Sequence, residues 1–158
     1  MQKVLYLEIG LMYGQKDKMK KLLMLTLLMP ILALAQTTTN VYPITRVIDG
    51  DTVEIQANFL PAPLKPVLSV RIYGVDTPEK GFRAGCPEEA AKGDAATAYT
   101  KKLIAASQKH TIVIMSWDKY GGRVLGDIFL DGQSLRKSLI DNGFAREYYG
   151  DKKQTWCN

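Results

Sequence analysis

Short runs of alternating apolar residues, separated by turn-forming residues, most constrain the fold of this chain. The alternation predicts five strands, at residues 41–48, 52–59, 67–75, 111–117 and 124–130. Asp49-Gly50 and Gly121-Gly122 are turn sequences, and three prolines between residues 61 and 66 exclude that segment from a sheet ladder. The chain is therefore expected to fold mainly as short strands.

Two helices are predicted, one after the third strand and one after the fifth. Pro87-Glu88-Glu89 suits a first helical turn, because a missing N–H does no harm there and negative charge favours the positive dipole end. Apolar residues at four-residue spacing continue this helix to Leu103, and the second helix covers residues 133–142. This order predicts a mainly β fold with α (α+β), an OB-type five-stranded barrel in one domain at residues 36–158.

The residues before that domain have the features of a signal peptide. Met19-Lys20-Lys21 precedes a short apolar run that ends in the small residues of Ala33-Leu34-Ala35. We therefore predict a signal peptide at residues 19–35, preceded by a non-functional extension at residues 1–18. An uncleaved membrane anchor is the alternative, although the run is short for a bilayer span. The protein is expected to be exported, periplasmic or secreted, monomeric, and without stable membrane insertion after cleavage.

Overall charge does not identify a nucleic-acid-binding protein here. The net charge is +5, but residues 1–35 contribute five lysines against two acidic residues and so carry three of those charges. Bulk charge on the remaining chain is too small to steer a polyanion by itself. Any argument for nucleic acid must come from particular residues.

The chain has two cysteines, Cys86 and Cys157. In an oxidising compartment an even count is compatible with one disulfide, and two free thiols are the alternative. A zinc site is disfavoured, because these two residues and the single histidine, His110, fall short of four ligands.

Acidic residues at the ends of the second and third predicted strands form a candidate metal site. Asp49 and Asp51 flank a turn glycine, and Asp76 follows the third strand. If these strands pair, Asp51 and Asp76 meet at one end of the sheet. A divalent cation would relieve their repulsion, and oxygen ligands favour calcium, magnesium or manganese. Arg71 between them is either a structural counter-ion or a bidentate ligand for phosphate.

Three ordered motifs make this sequence resemble the staphylococcal nuclease (thermonuclease) family. They are Val47-Ile48-Asp49-Gly50-Asp51-Thr52-Val53, then Val70-Arg71-Ile72 with Val75-Asp76-Thr77-Pro78-Glu79, then Asp118-Lys119-Tyr120-Gly121-Gly122-Arg123. The resemblance extends from about residue 41 to residue 149. It implies an OB-fold endonuclease that uses Ca²⁺ to hydrolyse phosphodiester bonds in DNA and/or RNA, with products that end in a 3′-phosphate.

The resemblance also implies the ligands of the calcium ion. Asp51 and Asp76 would bind it through their carboxylates and Thr77 through its carbonyl oxygen. Asp49 would not bind the ion itself but would help to position these ligands. The alternative to a calcium-dependent nuclease is a non-catalytic OB-fold module that binds an oligonucleotide or a protein partner.

The catalytic roles are implied in the same way. Glu79 matches the proposed general base that activates water, and Arg71 and Arg123 match the arginines that bind the scissile phosphate. A cation and two guanidinium groups would neutralise the charge that develops when a phosphodiester is attacked.

Four further residues, Asp118, Lys119, Tyr120 and Tyr149, are predicted to bind substrate. Two glycines stand where the family pattern has one, so either Tyr120 or Arg123 shifts by one residue; Arg123 is retained because it leads into the fifth strand. Asp151 stands where the family has a second tyrosine, which predicts weaker base stacking.

The long third helix of the family has no counterpart in this sequence. In the absence of that helix, a Cys86–Cys157 disulfide is hypothesised to fix the segment after Tyr149. Trp117 and Trp156 are interpreted as packing residues.

Overall fold

The structure, a computed structural model, describes residues 41–158. The predicted leader, residues 1–35, lies outside this range, so the signal peptide and the upstream extension stay predictions. Within the described range no helix is both long enough and apolar enough to cross a membrane.

The described residues form eight strands and two α-helices, labelled in chain order. The strands are β1 (Ile44–Asp49), β2 (Thr52–Gln56), β3 (Val67–Ile72), β4 (Val75–Asp76), β5 (His110–Trp117), β6 (Arg123–Leu130), β7 (Gln133–Ser134) and β8 (Arg146–Glu147). The helices are α1 (Pro87–Ala106) and α2 (Leu135–Asp141), and a single 3₁₀ turn covers Gly81–Arg83. The mainly β fold with two helices, predicted from the order of the sequence patterns, is confirmed.

The main sheet follows the path β1-β2-β3-β6-β5 and curls into a half-barrel consistent with an OB fold. Its pairs are antiparallel except for β3 and β6, which run parallel. Alternate residues of β2 and β3, including Val53, Ile55, Val70 and Ile72, are fully buried, as the period of two requires. No ladder joins β1 to β5 within residues 41–158, so the sheet is curled rather than closed.

The third strand is shorter than its sequence pattern predicted. It ends at Ile72 instead of residue 75, because Gly74 adopts a left-handed conformation (φ +78°) and turns the chain. The residues beyond the turn form β4, which pairs with β8 in a separate small sheet. Asp76 is therefore held opposite Arg146 rather than on the main sheet.

Helix α1 packs against both turns that carry the predicted acidic residues. Thr100 Oγ1 donates a hydrogen bond to the carbonyl oxygen of Gly50, at 2.7 Å. A Cβ atom at Gly93 would lie 2.4 Å from the carbonyl oxygen of Glu79, so only glycine permits this approach. The helix thereby holds the backbone on which Asp51 and Glu79 are mounted.

Cys86 and Cys157 form a disulfide, with their Cα atoms 6.0 Å apart. Cys86 is also the N-cap of α1, where its sulfur accepts a hydrogen bond from the backbone N–H of Glu89. Because the bridge closes a loop of 71 residues, the chain-entropy model gives it about 4 kcal/mol of stabilisation. It ties the start of α1 to the segment after β8, which contains no helix or strand.

Candidate active site

An open cleft of about 560 Å³ collects most of the residues that the sequence singled out. The predicted residues that line it are Asp49, Arg71, Glu79, Asp118, Lys119, Tyr120, Arg123 and Tyr149. The other three, Asp51, Asp76 and Thr77, are almost fully buried. Asp51 and Asp76 contact Arg71 of the cleft lining, and the backbone N–H of Thr77 contacts Asp51. Residues from four distant parts of the sequence thus converge on one surface.

Asp49, Asp51 and Asp76, called here the carboxylate cluster, lie where β1, β2 and β4 meet. Only 2% of Asp51 and 5% of Asp76 is exposed. Thr52 Oγ1 donates to Asp51 Oδ1 at 2.9 Å, and the backbone N–H of Thr77 approaches Asp51 Oδ2 at 3.4 Å. These contacts connect the turn after β1 with the residues that follow β4.

Arg71 joins two members of the carboxylate cluster. Its Nη2 atom lies 2.9 Å from Asp51 Oδ2 and 3.6 Å from Asp76 Oδ1. The pairing of β2 with β3, which sets Thr52 opposite Arg71, brings the guanidinium to this position. Arg71 therefore acts as a counter-ion for buried carboxylates, and its presence in the cleft wall also leaves it available to an anion.

The carboxylate cluster has the donor chemistry of a site for a hard divalent cation. Burial raises the pKa of Asp51 to about 7, since desolvation and the charge of Asp49 outweigh the opposing effect of Arg71. Asp49 Oδ1 is buried without a hydrogen-bond partner among the described residues. Three carboxyl groups gathered at one point offer oxygen as the only donor atom, which suits calcium, magnesium or manganese.

Glu79 lies at the rim of the cleft between two basic side chains that the sequence motifs did not include. Its Oε2 atom is 3.5 Å from Arg83 Nε, and its Oε1 atom is 3.5 Å from Lys153 Nζ. Arg83 Nη2 also lies 3.3 Å from Asp49 Oδ2. Arg83 ends a single 3₁₀ turn and Lys153 lies in a segment without helix or strand, so no periodic pattern would have identified either residue.

The loop at residues 118–123 connects β5 to β6 and carries the second predicted arginine. Arg123 begins β6, and its Nε atom is hydrogen-bonded to Asp118 Oδ2. Burial acts to raise the pKa of Asp118, but the hydrogen bond and charge of Arg123 lower it below its usual range. Gly121 and Gly122 both have positive φ, 69° and 70°, so the additional glycine is taken up in the turn rather than in the strand.

Exposed aromatic side chains line the same cleft. Trp117 is 65% exposed and Tyr120 77% exposed, while Tyr149 packs edge-on against Tyr73 with ring centroids 5.7 Å apart. The interpretation of Trp117 as a packing residue is wrong, because the last residues of β5 extend past the core. Trp156, by contrast, is buried.

The segment after β8 contacts the carboxylate cluster directly. Lys153 Nζ lies 2.6 Å from Asp76 Oδ1, and Trp156 Nε1 donates to Asp76 Oδ2 at 3.2 Å. Burial acts to lower the pKa of Lys153, but the hydrogen bond and charge of Asp76 raise it above its usual value. The disulfide at Cys157 ties this segment to the start of α1. The sequence motifs did not predict its contacts with Asp76.

Comparison with known proteins identifies the family of this chain. A family model described as staphylococcal nuclease homologue matches residues 69–156, which is more than half of the chain. The chain is also 30% identical, over 106 residues, to the SPbeta prophage-derived endonuclease YokF of Bacillus subtilis (strain 168). That match covers 66% of this chain but only 33% of the relative, so the chain spans about a third of that protein's length. The chain belongs to the staphylococcal nuclease family.

Proposed function

We propose that this protein is an endonuclease that hydrolyses phosphodiester bonds in DNA and/or RNA with the help of Ca²⁺. The observation that carries the proposal is a buried carboxylate cluster, bridged by Arg71, beside a cleft that also holds Glu79 and Arg123. Membership of the family and the endonuclease named among its relatives support the same reaction class.

The cation would be held by Asp51 and Asp76 through their carboxylates and by Thr77 through its carbonyl oxygen, with Asp49 supporting them. The burial of Asp51, Asp76 and Thr77, together with the raised pKa of Asp51, supports the fit, because carboxylates gain most from a cation where water is excluded. When bound, the ion would supply positive charge that polarises the phosphate and stabilises the charge developing on its oxygens.

Glu79 accepts a proton from the attacking water, and Arg71 and Arg123 orient the phosphate and offset the charge of the transition state. As the new P–O bond forms, the bond to the 5′-oxygen breaks and that oxygen takes up a proton from solvent. One product then ends in a 3′-phosphate and the other in a 5′-hydroxyl. Arg123 is held by Asp118, so its guanidinium is already oriented along the cleft wall before substrate binds.

A nucleic acid fits this cleft better than a protein partner does. Lys119, Lys153 and three arginines offer positive charge to a phosphate backbone, and exposed Trp117 and Tyr120 offer faces on which bases can stack. Exposed aromatic rings beside cationic side chains are typical of single-strand recognition.

Digestion assays with the purified protein test this proposal. Single-stranded DNA, duplex DNA and RNA are each incubated with calcium and with a chelator, and the expected result is cleavage only with calcium. Oligonucleotide binding without cleavage under any condition would overturn the nuclease proposal and favour a non-catalytic OB-fold module.

The polarity of cleavage is tested on the products. If the 5′-oxygen is the leaving group, product ends will accept a 5′-phosphate from a kinase without prior phosphatase treatment. Products that already carry a 5′-phosphate would contradict the proposed bond scission.

Export stays a proposal, which the Cys86–Cys157 disulfide supports because such bridges persist in oxidising compartments. N-terminal sequencing of the protein recovered from its native host is expected to begin at Gln36. Recovery of the uncleaved chain from the cytoplasm would contradict it.

A further inference from the structure

We propose that Trp156 is a positioning residue for Asp76 and that the Cys86–Cys157 disulfide holds it in place. The inference rests on the proposed function, since it assigns Trp156 to the cation site. Its basis is a buried hydrogen bond between residues 80 positions apart, from Trp156 Nε1 to Asp76 Oδ2.

The two oxygens of Asp76 have different neighbours. Oδ2 accepts from the neutral indole N–H, whereas Oδ1 faces two cationic groups, Lys153 Nζ at 2.6 Å and Arg71 Nη2 at 3.6 Å. A carboxylate on a short side chain turns easily about its last torsion, which has a broad, two-fold profile. By occupying Oδ2, the indole fixes which oxygen Asp76 presents to positive charge.

Trp156 is itself held on three sides. The Arg146 guanidinium stacks on its ring at 3.8 Å, and Lys92 Nζ donates to its carbonyl oxygen at 2.8 Å. The next residue, Cys157, is bonded to Cys86 at the start of α1. Only 8% of Trp156 is exposed. A ring fixed in this way can impose an orientation on the carboxylate instead of following it.

The partner of the indole N–H distinguishes positioning from packing. A buried tryptophan needs an acceptor for its N–H, and a backbone carbonyl would satisfy that need without affecting a site. Here the acceptor is a carboxylate of the carboxylate cluster. Groups that orient metal ligands in this way typically change metal affinity about 10- to 100-fold when they are removed.

The test is calorimetric titration of calcium into Trp156→Phe, which keeps an aromatic ring near Arg146 and removes the N–H donor together with the five-membered ring that carries it. Calcium binding is expected to weaken about 10-fold. Ile128→Val removes buried volume from the core and lowers stability without touching the carboxylate cluster, so it is not expected to change calcium affinity. Thermal melts of all variants separate stability from affinity.

The outcomes separate this inference from the proposed function. Wild-type protein that binds no divalent cation would remove the proposed function. Wild-type protein that binds calcium, with a Trp156→Phe variant of equal affinity and a lower melting temperature, would overturn the inference alone. The double variant Cys86→Ser/Cys157→Ser tests the tether, and its calcium affinity is expected to fall in the same direction. If that double variant does not fold, Trp156→Phe still decides the question.

Discussion

The carboxylate cluster and the 118–123 loop serve the same cleft but are built in opposite ways. Asp51 and Asp76 are buried, fixed by hydrogen bonds, and backed by α1 through the Thr100 contact to Gly50. Tyr120 is 77% exposed, and nothing lies within 4 Å of a Cβ built on Gly121 or Gly122.

This difference matches the two things the proposed reaction must hold. A small ion needs oxygen atoms at fixed positions, which a packed and desolvated cluster provides. A nucleic acid varies in sequence and conformation, so an open loop with charged and aromatic side chains suits it better. Substitutions in the cluster should therefore change cation affinity, and those in the loop should change turnover or substrate binding.

Glu79 lines the cleft that the carboxylate cluster and the 118–123 loop share, and its substitution is expected to have the largest effect on turnover. Glu79→Gln is expected to lower turnover by about 10²- to 10⁴-fold, because the amide cannot accept the proton from water. Calcium affinity, measured by calorimetry, should change little. Glu88→Gln, at an exposed position of α1, is the matched control and should retain activity. A large loss of calcium affinity in Glu79→Gln would mean that the cation site extends to the cleft rim.

Arg123 tests the loop side. Arg123→Met is expected to lower kcat by about 10²- to 10³-fold, the usual cost of removing one group that stabilises transition-state charge. Calcium affinity is expected to stay the same, because the contact of Arg123 is with Asp118 rather than with the carboxylate cluster. Arg46→Met, on β1 and paired with Glu54, removes a guanidinium elsewhere and should have no effect on kcat. Unchanged kcat in Arg123→Met would exclude it from the phosphate site.

Asp51 tests the cluster side. Asp51→Asn keeps the shape of the side chain but removes its charge. Calcium affinity is expected to fall by about 100-fold or more, because loss of a group that only orients a metal ligand already costs about 10- to 100-fold and Asp51 is proposed to bind the ion directly. Titration calorimetry provides the measurement, and Asp94→Asn on the exposed side of α1 provides the control. Equal calcium affinity in wild type and Asp51→Asn would contradict the assignment of Asp51 as a ligand.

The two regions also differ in how far the sequence alone could predict them. The carboxylate cluster follows from short motifs at the ends of alternating strands, since strand pairing brings residues such as Thr52 and Arg71 opposite each other. The additional glycine left the placement of Arg123 open, because turn geometry depends on backbone angles that the motif does not specify.

Contacts over long sequence separations were beyond such reasoning. The two strands of the small sheet, β4 and β8, are each only two residues long, which is too short for an alternating pattern to appear. Trp156 and Lys153 contact Asp76 from an irregular segment, to which the disulfide and the Arg146 stack are also bound. Their positions follow from tertiary packing, which leaves no periodic signal in the sequence.

A substitution of Lys153 tests whether the segment after β8 affects the calcium affinity of the carboxylate cluster. Its Nζ atom lies 2.6 Å from Asp76 Oδ1, so its charge occupies an oxygen that a divalent cation would also use. Lys153→Met is expected to strengthen calcium binding, opposite in sign to Trp156→Phe. The side chain is 45% exposed, so solvent screening limits the pair to about 0.2–1 kcal/mol, or about 1.5- to 5-fold in affinity.

Calcium titrations of Lys153→Met beside Lys152→Met provide the measurement, because Lys152 is exposed and makes no carboxylate contact within residues 41–158. Tighter binding in the first variant alone would show that Lys153 competes with the cation at Asp76. Weaker binding would mean that the ammonium instead helps to gather the carboxylates, and that the carboxylate cluster depends on this segment for its shape as well as for its charge. In that case the contrast between a self-sufficient cluster and an adaptable loop would no longer hold, because the cluster too would be completed by an irregular segment.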